Sequence, residues 1–111
     1  MKTTSPYVLR LLAATALMLG TSIASHAQDK ATQLHNRATA AMCANCHGTE
    51  GRTVEGSSVP SLAGMPKEYM VLQMKAFKEG TRPATVMHQL SKGLTDAQIQ
   101  TIASYYAGVP R

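Results

Sequence analysis

A pair of closely spaced cysteines limits how this chain can be stabilised. Cys43 and Cys46 are its only two cysteines, and His47 directly follows the second. A disulfide between them would close a very short loop and add little stability. A disulfide framework is therefore excluded, although a domain well under 100 residues is marginally stable without some such support. With one Phe and no Trp, the chain has few large side chains for a core, so we expect another group to fill its interior.

The N-terminal segment has the layout of a signal peptide. Lys2 and Arg10 supply positive charge before an apolar run, and Ser25–Ala27 has the small-x-small form of a cleavage site. A membrane anchor needs about 20 predominantly apolar residues, and polar residues interrupt this run too early. We expect residues 1–27 to be cleaved. The mature domain is then residues 28–111, exported to the periplasm with no stable membrane insertion.

Hydrophobic spacing predicts an all-α domain with three main helices and glycine- and proline-containing loops. The helices are predicted from Asp29 to Met42, from Pro66 to Glu79, and from a Thr95–Gln98 capping box to Gly108, with a short turn at 86–92. The predicted buried faces are Leu34, Ala38, Ala41 and Met42 in the first helix, Tyr69, Leu72, Ala76 and Phe77 in the second, and Ile99, Ile102, Ala103 and Tyr106 in the last. The long loop between the first two helices is expected to wrap around a bound group.

The run Cys43-Ala-Asn-Cys46-His47 is typical of covalent haem attachment. Two thiols three residues apart reach the two vinyl groups on one edge of the porphyrin, and the adjacent histidine supplies an axial imidazole. Thioether bonds do not dissociate, so even a small scaffold keeps its cofactor. We therefore expect one covalently bound haem c per chain, with His47 as an iron ligand. The buried macrocycle would also supply the missing core.

Three other uses of the cysteine pair are weaker. A thioredoxin-like redox pair lies at a strand-to-helix junction, and no strands are predicted here. A zinc site needs four ligands, so Cys43, Cys46 and His47 would require His35 or His88 as the fourth. A structural disulfide closes too short a loop to stabilise the fold.

The residue on the far face of the iron has several candidates. Methionine and histidine are the common second ligands in such proteins, and methionine raises the reduction potential. The candidates are Met65, Met70, Met74, Met87, His35 and His88. Methionines inside a predicted helix, such as Met70 and Met74, are more often core residues. We favour Met87, because it lies in an irregular stretch where a loop can fold over the ring. His88 is expected at the surface and is the next candidate.

Beyond the attachment motif, further segments resemble the class I c-type cytochromes. They are Pro60-Ser-Leu-Ala-Gly64, Met87 and the terminal Ala103-Ser-Tyr-Tyr106-Ala-Gly. The resemblance implies a small class I cytochrome c fold in which the carbonyl of Pro60 accepts a hydrogen bond from the ring of His47. It also implies that Leu62 packs on the haem, and that the first and last helices cross at the small residues Ala38 and Ala41.

A closer resemblance is to the cytochrome subunit of flavocytochrome c sulfide dehydrogenase. The segments that carry it are Pro60–Pro66, Lys75–Pro83, Ala84–Met87 and Ser91–Gly93. The resemblance implies a haem subunit that accepts electrons from an FAD-containing, sulfide-oxidising subunit and passes them to a downstream redox carrier. Some members carry two haem domains, whereas this chain has a single attachment motif and fits the one-haem pattern.

The chain is therefore predicted to transfer single electrons, with no catalysis expected from it alone. Ligation by His47 and Met87 would leave no open position at the iron for substrate. The alternatives are a free-standing soluble carrier between respiratory complexes and a haem ligand-binding or peroxidatic protein with a labile sixth ligand. Nucleic-acid binding is not expected, because the net charge of +5 does not come from a dense basic run.

Overall fold

A computed structural model describes residues 26–111 of the chain. The predicted signal peptide, residues 1–27, lies outside the described residues except for its last two. The described residues fall into two units, with residues 26–34 in the first and residues 35–111 in the second. Residues 26–34 of the first unit are helical, and the second unit begins with helical residues 35–40, here called α1. Among residues 26–111, no helix has both the length and the apolar character needed to cross a membrane.

The rest of the second unit is helices and connecting loops. After a 3-10 turn at Ala41–Cys43, the elements are α2 (Ala44–His47), a second 3-10 turn (Thr49–Gly51), α3 (Lys67–Glu79), α4 (Met87–Lys92) and α5 (Asp96–Gly108). No strand occurs between residues 26 and 111, which agrees with the predicted all-α architecture. α3 packs against both α4 and α5, and the core lies between these helices.

The last helix, α5, forms as its sequence predicts. The amide of Gln98 donates to the hydroxyl oxygen of Thr95 (3.2 Å), and the amide of Thr95 donates to the Gln98 side chain (2.8 Å), which completes the capping box. The predicted face is buried throughout and consists of Ile99, Ile102, Ala103 and Tyr106. Apolar residues at helical spacing on an otherwise polar sequence leave only one face that can enter the core.

The buried face predicted for α3 is wrong in part. The residues that enter the core are Met70 and Met74, whereas Tyr69 is 50% exposed and Leu72 is 62% exposed. Ala76 and Phe77, the other two predicted residues, are half-buried. Residues 69–72 are all apolar, so α3 has apolar side chains on two sides and periodicity alone does not select one. Within the polypeptide, the side that carries the two methionines packs against the neighbouring helices.

The buried face predicted for the first helix is also wrong. All four of its residues are exposed: Leu34, Ala38, Ala41 and Met42. The buried residue is Ala40, whose carbonyl accepts a hydrogen bond from the hydroxyl of Tyr106 on α5 (2.8 Å). The predicted crossing at Ala38 and Ala41 is therefore replaced by a contact at Ala40. The helix gives way to a 3-10 turn after residue 40, and a 3-10 turn has about 3.0 residues per turn instead of 3.6, so the α-helical register does not continue to Met42.

Candidate functional site

The two cysteines lie on one short helical stretch. Cys43 closes the 3-10 turn, and Cys46 lies in α2, three residues further on. Residues three apart on a helix are neighbours on the same side. Both thiols are free; that of Cys43 is half-buried against the core, and that of Cys46 is exposed. The segment therefore presents two thiols on one side, in front of a histidine at the end of α2.

The imidazole of His47 is fixed in orientation and in tautomer. His47 is only 8% exposed, and its Nδ1 lies 2.7 Å from the carbonyl oxygen of Pro60. A carbonyl oxygen only accepts hydrogen bonds, so this contact requires the proton on Nδ1. In the neutral ring, the lone pair then resides on Nε2, which is the form of imidazole that binds metals. The contact joins the pair of residues that the family resemblance implied.

The carbonyl of Gly51 holds the loop that brings Pro60 back to His47. It accepts hydrogen bonds from the amides of Leu62 (2.8 Å) and Ala63 (3.2 Å) and from the hydroxyl of Ser61 (2.7 Å). Three donors on one carbonyl fix the segment just after Pro60 against the turn that follows α2. Leu62 itself is half-buried and packs against the core. The role of this carbonyl could not be predicted from the sequence, because every residue has a backbone carbonyl.

A salt-bridge network holds the same turn from outside. Glu50 adopts a left-handed conformation (φ 54°) and pairs with the guanidinium of Arg52 (2.9 Å). Arg52 also donates to the carbonyl of Pro110 (2.7 Å), and Arg37 lies 3.5 Å from the other oxygen of Glu50. The turn after His47 is therefore tied to both α1 and the C-terminal residues of the second unit.

The candidate axial methionines fall into two groups. Met70 and Met74 are buried in the core, and the sulfur of Met74 accepts a hydrogen bond from the fully buried Ser91 (3.8 Å). Met65 and Met87 are only partly buried and pack at the edge of the core. Met87 is the first residue of α4 and directly follows the loop from α3. Met70 and Met74 were disfavoured as axial ligands because methionines inside a helix are more often core residues, and the structure places both in the core.

The two candidate histidines differ in environment. His35 is exposed on α1. His88 is half-buried, and its Nδ1 is buried with no hydrogen-bond partner among the residues that the structure describes. The expectation that His88 is a surface residue therefore holds only in part, because its side chain is half-buried and its Nδ1 is shielded from solvent. Within residues 26–111, no three His, Cys, Asp or Glu side chains form a cluster able to hold a metal ion.

Burial changes the acidity of two groups beside the cysteine motif. It raises the pKa of the Cys43 thiol, and a hydrogen bond with the Tyr106 hydroxyl offsets part of that rise. Burial also raises the pKa of Tyr106 well above its usual range, and the neighbouring Cys43 and Tyr105 add to the effect. Sequence periodicity predicted that Tyr106 is buried, but it did not reveal that the hydroxyl reaches the cysteine motif.

The sequence profile of the cytochrome c family matches residues 29–109. The chain belongs to the cytochrome c family. A solved cytochrome c4 from Acidithiobacillus ferrooxidans superimposes with a TM-score of 0.57 at 36% identity, over 60% of this chain and 38% of that one. The predicted class I cytochrome c fold is confirmed.

Several characterised cytochromes are similar to this one in sequence. The cytochrome subunit of sulfide dehydrogenase from Chlorobaculum tepidum is 39% identical over 69 residues, which are 62% of this chain and 61% of that protein. The thiosulfate dehydrogenase electron acceptor of Thiomonas intermedia is 38% identical over 61% of this chain and 31% of its own length. Cytochrome c4 of Pseudomonas aeruginosa is 35% identical over 88% of this chain and 47% of its own. The matched part thus spans about a third to three fifths of these relatives.

The cofactor of this cytochrome is covalently bound haem c, and its general function is electron transfer. The residues present fit that group. Two free thiols stand at the required spacing, and the adjacent His47 has its Nδ1 committed to Pro60, which leaves Nε2 for the iron. The exposed apolar residues Tyr69 and Leu72 on α3 also suit a large apolar partner.

Proposed function

We propose that this chain is a periplasmic monohaem cytochrome that carries one electron at a time. Cys43 and Cys46 would hold the haem through thioether bonds, and Nε2 of His47 would bind the iron. The observation that carries the proposal is the 2.7 Å contact between His47 Nδ1 and the Pro60 carbonyl, directly beside two free thiols. When bound, the haem supplies an iron that alternates between the iron(III) and iron(II) states.

Pro60 and Leu62 would prepare the histidine side of the site. A hydrogen bond from the ring N–H to a carbonyl fixes the imidazole and strengthens it as a ligand. The bonds to the Gly51 carbonyl keep this segment in place, so His47 would need little rearrangement when the iron changes charge. Leu62 lies in the same hydrogen-bonded segment and is half-buried, and its side chain would pack against the haem.

Met87 is the sixth ligand in this proposal. Its partly buried position at the start of α4 leaves the side chain at the edge of the core, whereas Met70 and Met74 already lie inside it. Exposed apolar residues on both sides of Met87, Val86 and Leu90, support an apolar group close by. Met65, also partly buried, is the methionine to test next.

Ligation is tested by replacing Met87 with Ala in the haem-loaded protein. We expect loss of the methionine-to-iron charge-transfer band of the oxidised protein, and ready binding of carbon monoxide by the reduced protein. Met42→Ala is the matched control, since Met42 is exposed and too close to Cys43 in sequence to reach the opposite face of the iron. If the band persists in Met87→Ala, the ligand is another residue and Met65→Ala is the next variant to measure.

The proposed electron donor is an FAD-containing subunit that oxidises sulfide, and a downstream redox carrier would take the electrons on. The 39% identity with the cytochrome subunit of a sulfide dehydrogenase, over three fifths of that protein, supports this role. The proposed periplasmic location rests on the signal-peptide pattern of residues 1–27. No bond-making chemistry is assigned to this chain alone.

A free-standing carrier between respiratory complexes is the second candidate. It is favoured by the match to cytochrome c4, which extends over 88% of this chain, further than the match to the sulfide dehydrogenase subunit. A haem protein with a labile sixth ligand is the third, and it predicts that wild-type protein binds carbon monoxide readily.

Purification of the exported protein from its host separates the first two candidates. The proposed subunit role predicts that a flavin-containing chain elutes with it in equal amount, and that sulfide reduces the haem only in the presence of that chain. Elution as a single haem protein, with no effect of the flavoprotein on its reduction by sulfide, would contradict the subunit role and favour the free-standing carrier.

A further inference from the structure

The carbonyl of Pro60 that holds His47 belongs to an otherwise exposed loop. Its oxygen lies 2.7 Å from Nδ1 of the buried His47, whereas Pro60 itself and residues 54–58 are exposed. Proline has no amide proton, so Pro60 cannot fix its own position through a backbone donor. The orientation of this carbonyl therefore depends on the bonds made by the residues on either side of it.

On the side that precedes Pro60, the hydrogen bonds are local to the loop. The amide of Val59 donates to the hydroxyl oxygen of Ser57 (3.1 Å), and Ser57 is exposed. The amide of Ser57 in turn donates to the carbonyl of Val54 (3.2 Å), which closes a short turn. Neither of these two bonds ties Pro60 to a buried part of the domain.

On the side that follows Pro60, a side chain reaches the turn that comes directly after His47. The hydroxyl of Ser61 donates to the carbonyl of Gly51 at 2.7 Å, and Gly51 is a buried residue of that turn. The carbonyl of Pro60 and the amide nitrogen of Ser61 belong to one planar peptide group. The bond from Ser61 therefore limits the rotation of the plane that carries the acceptor of His47.

The other two donors to the Gly51 carbonyl act further along the chain. They are the amides of Leu62 (2.8 Å) and Ala63 (3.2 Å). The two soft torsions of Ser61 separate the Leu62 amide from the peptide plane of the Pro60 carbonyl, and Ala63 is one residue further away. With these two bonds alone, that plane can still turn. The Ser61 hydroxyl is thus the donor that acts closest to the contact with His47.

The hydrogen bond at Nδ1 affects the relative stability of the two iron states. An imidazole that donates its N–H to a carbonyl is a more basic ligand, and a more basic ligand favours iron(III), which carries the higher charge. Hydrogen bonds around the axial ligands are one means by which a protein sets the potential of its haem. We infer that Ser61 is a positioning residue for the His47 imidazole in the haem-loaded protein and lowers its reduction potential. This role rests on the proposed function.

The test compares the reduction potentials of haem-loaded variants at position 61. Ser61→Ala and Ser61→Val remove the hydroxyl, whereas Ser61→Thr keeps it and has nearly the shape of the valine variant. We expect the two hydroxyl-free variants to shift the iron equilibrium about threefold towards iron(II), a value near the lower end for one neutral hydrogen bond because Ser61 is exposed. The potential then rises by about 30 mV, at about 59 mV per tenfold change for one electron.

Two control variants separate this effect from changes in the loop or in stability. Ser58→Ala removes an exposed hydroxyl three residues earlier in the same loop. Thr95→Ala removes the capping box of α5 and destabilises the fold without touching the loop. Ser61→Thr and both controls should keep the wild-type potential.

The ring proton of His47 gives a second measurement that involves no electron transfer. NMR of the reduced protein measures how fast the Nδ1 proton exchanges with solvent, and a hydrogen-bonded proton exchanges only when its bond opens. We expect the exchange to be about threefold faster in Ser61→Val than in Ser61→Thr.

An unchanged or lowered potential in Ser61→Ala and Ser61→Val overturns the inference, as does an equal rise in Ser61→Thr or Thr95→Ala. Equal exchange rates in the valine and threonine variants overturn it as well. If neither hydroxyl-free variant accumulates with haem, the role of Ser61 is structural only and the inference is again wrong. If the wild-type chain itself carries no haem on its cysteines, the proposed function fails instead.

Discussion

The close contact between Gly51 and Tyr106 gives a stability difference that the structure allows us to estimate. Gly51 has φ +75°, and an added Cβ would lie 2.7 Å from the Tyr106 ring and 3.0 Å from the Leu62 Cβ. Gly56 has a similar φ of +80°, yet an added Cβ there would meet nothing within 4 Å. The two alanine substitutions therefore share the backbone strain and differ in the steric clash.

The shared strain is small. A left-handed conformation costs an L-residue about 1–2 kcal/mol, and the reduced freedom of the unfolded chain returns about 0.4–1 kcal/mol. Gly56→Ala should thus cost about 1 kcal/mol. At Gly51, overpacking against a buried ring adds about 1–3 kcal/mol, for a total of about 3 kcal/mol. In a domain of this size, 1 kcal/mol lowers Tm by about 4–8 °C.

Thermal unfolding of the haem-loaded variants, followed by far-UV circular dichroism, measures both costs. We expect Gly56→Ala to lower Tm by about 5 °C and Gly51→Ala by about 15 °C. Equal decreases in the two variants would refute the reasoning, because they would mean that the Tyr106 ring and Leu62 move away from an added methyl group at no cost.

Three further predictions concern α5, α3 and the buried phenol. Thr95→Ala removes the capping box of α5 and should lower stability by about 1 kcal/mol, whereas Ser104→Ala, exposed on the same helix, should have almost no effect. Met74→Ala should cost about 3 kcal/mol, because the side chain is buried in the core. The raised pKa of Tyr106 means that its folded form keeps the proton that the unfolded chain releases above about pH 10. Stability should therefore fall as pH rises above 10, and less steeply in Tyr106→Phe.

Denaturant titrations of the haem-loaded variants measure these three effects. Equal losses in Thr95→Ala and Ser104→Ala would contradict the role of the capping box. A cost below about 1 kcal/mol for Met74→Ala would mean that the core does not lie on that side of α3. The alkaline prediction fails if wild-type protein and Tyr106→Phe lose stability with the same slope between pH 10 and pH 12.

The sequence specified α5 well, and it specified α3 and the first predicted helix less well. In α5, the apolar residues recur on one face only, so periodicity has a single solution, and the capping box marks the first residue. In α3, consecutive apolar residues at 69–72 create two apolar sides, and the choice depends on which neighbour each side meets. Periodicity cannot indicate which side of α3 meets other helices when the neighbour of the other side is a bound haem.

For the site as well, some features could be predicted from residue types, and others are visible only in the folded chain. The cysteine spacing and the following histidine marked the attachment segment, and the resemblance supplied the pairing of His47 with Pro60. The carbonyl of Gly51 and the hydroxyl contact of Tyr106 were missed, since both depend on long-range geometry. The 3-10 turn was missed as well, because its residues, Ala41–Cys43, have no property that excludes an α-helix.

The central claim is that a haem is bound covalently through Cys43 and Cys46, and one measurement tests it most directly. The exported protein is purified, its intact mass is measured, and its thiols are challenged with a labelling reagent under denaturing conditions. We expect a mass that exceeds that of the polypeptide by one haem, with neither cysteine labelled. A polypeptide of unmodified mass, with label on both cysteines, would contradict the account.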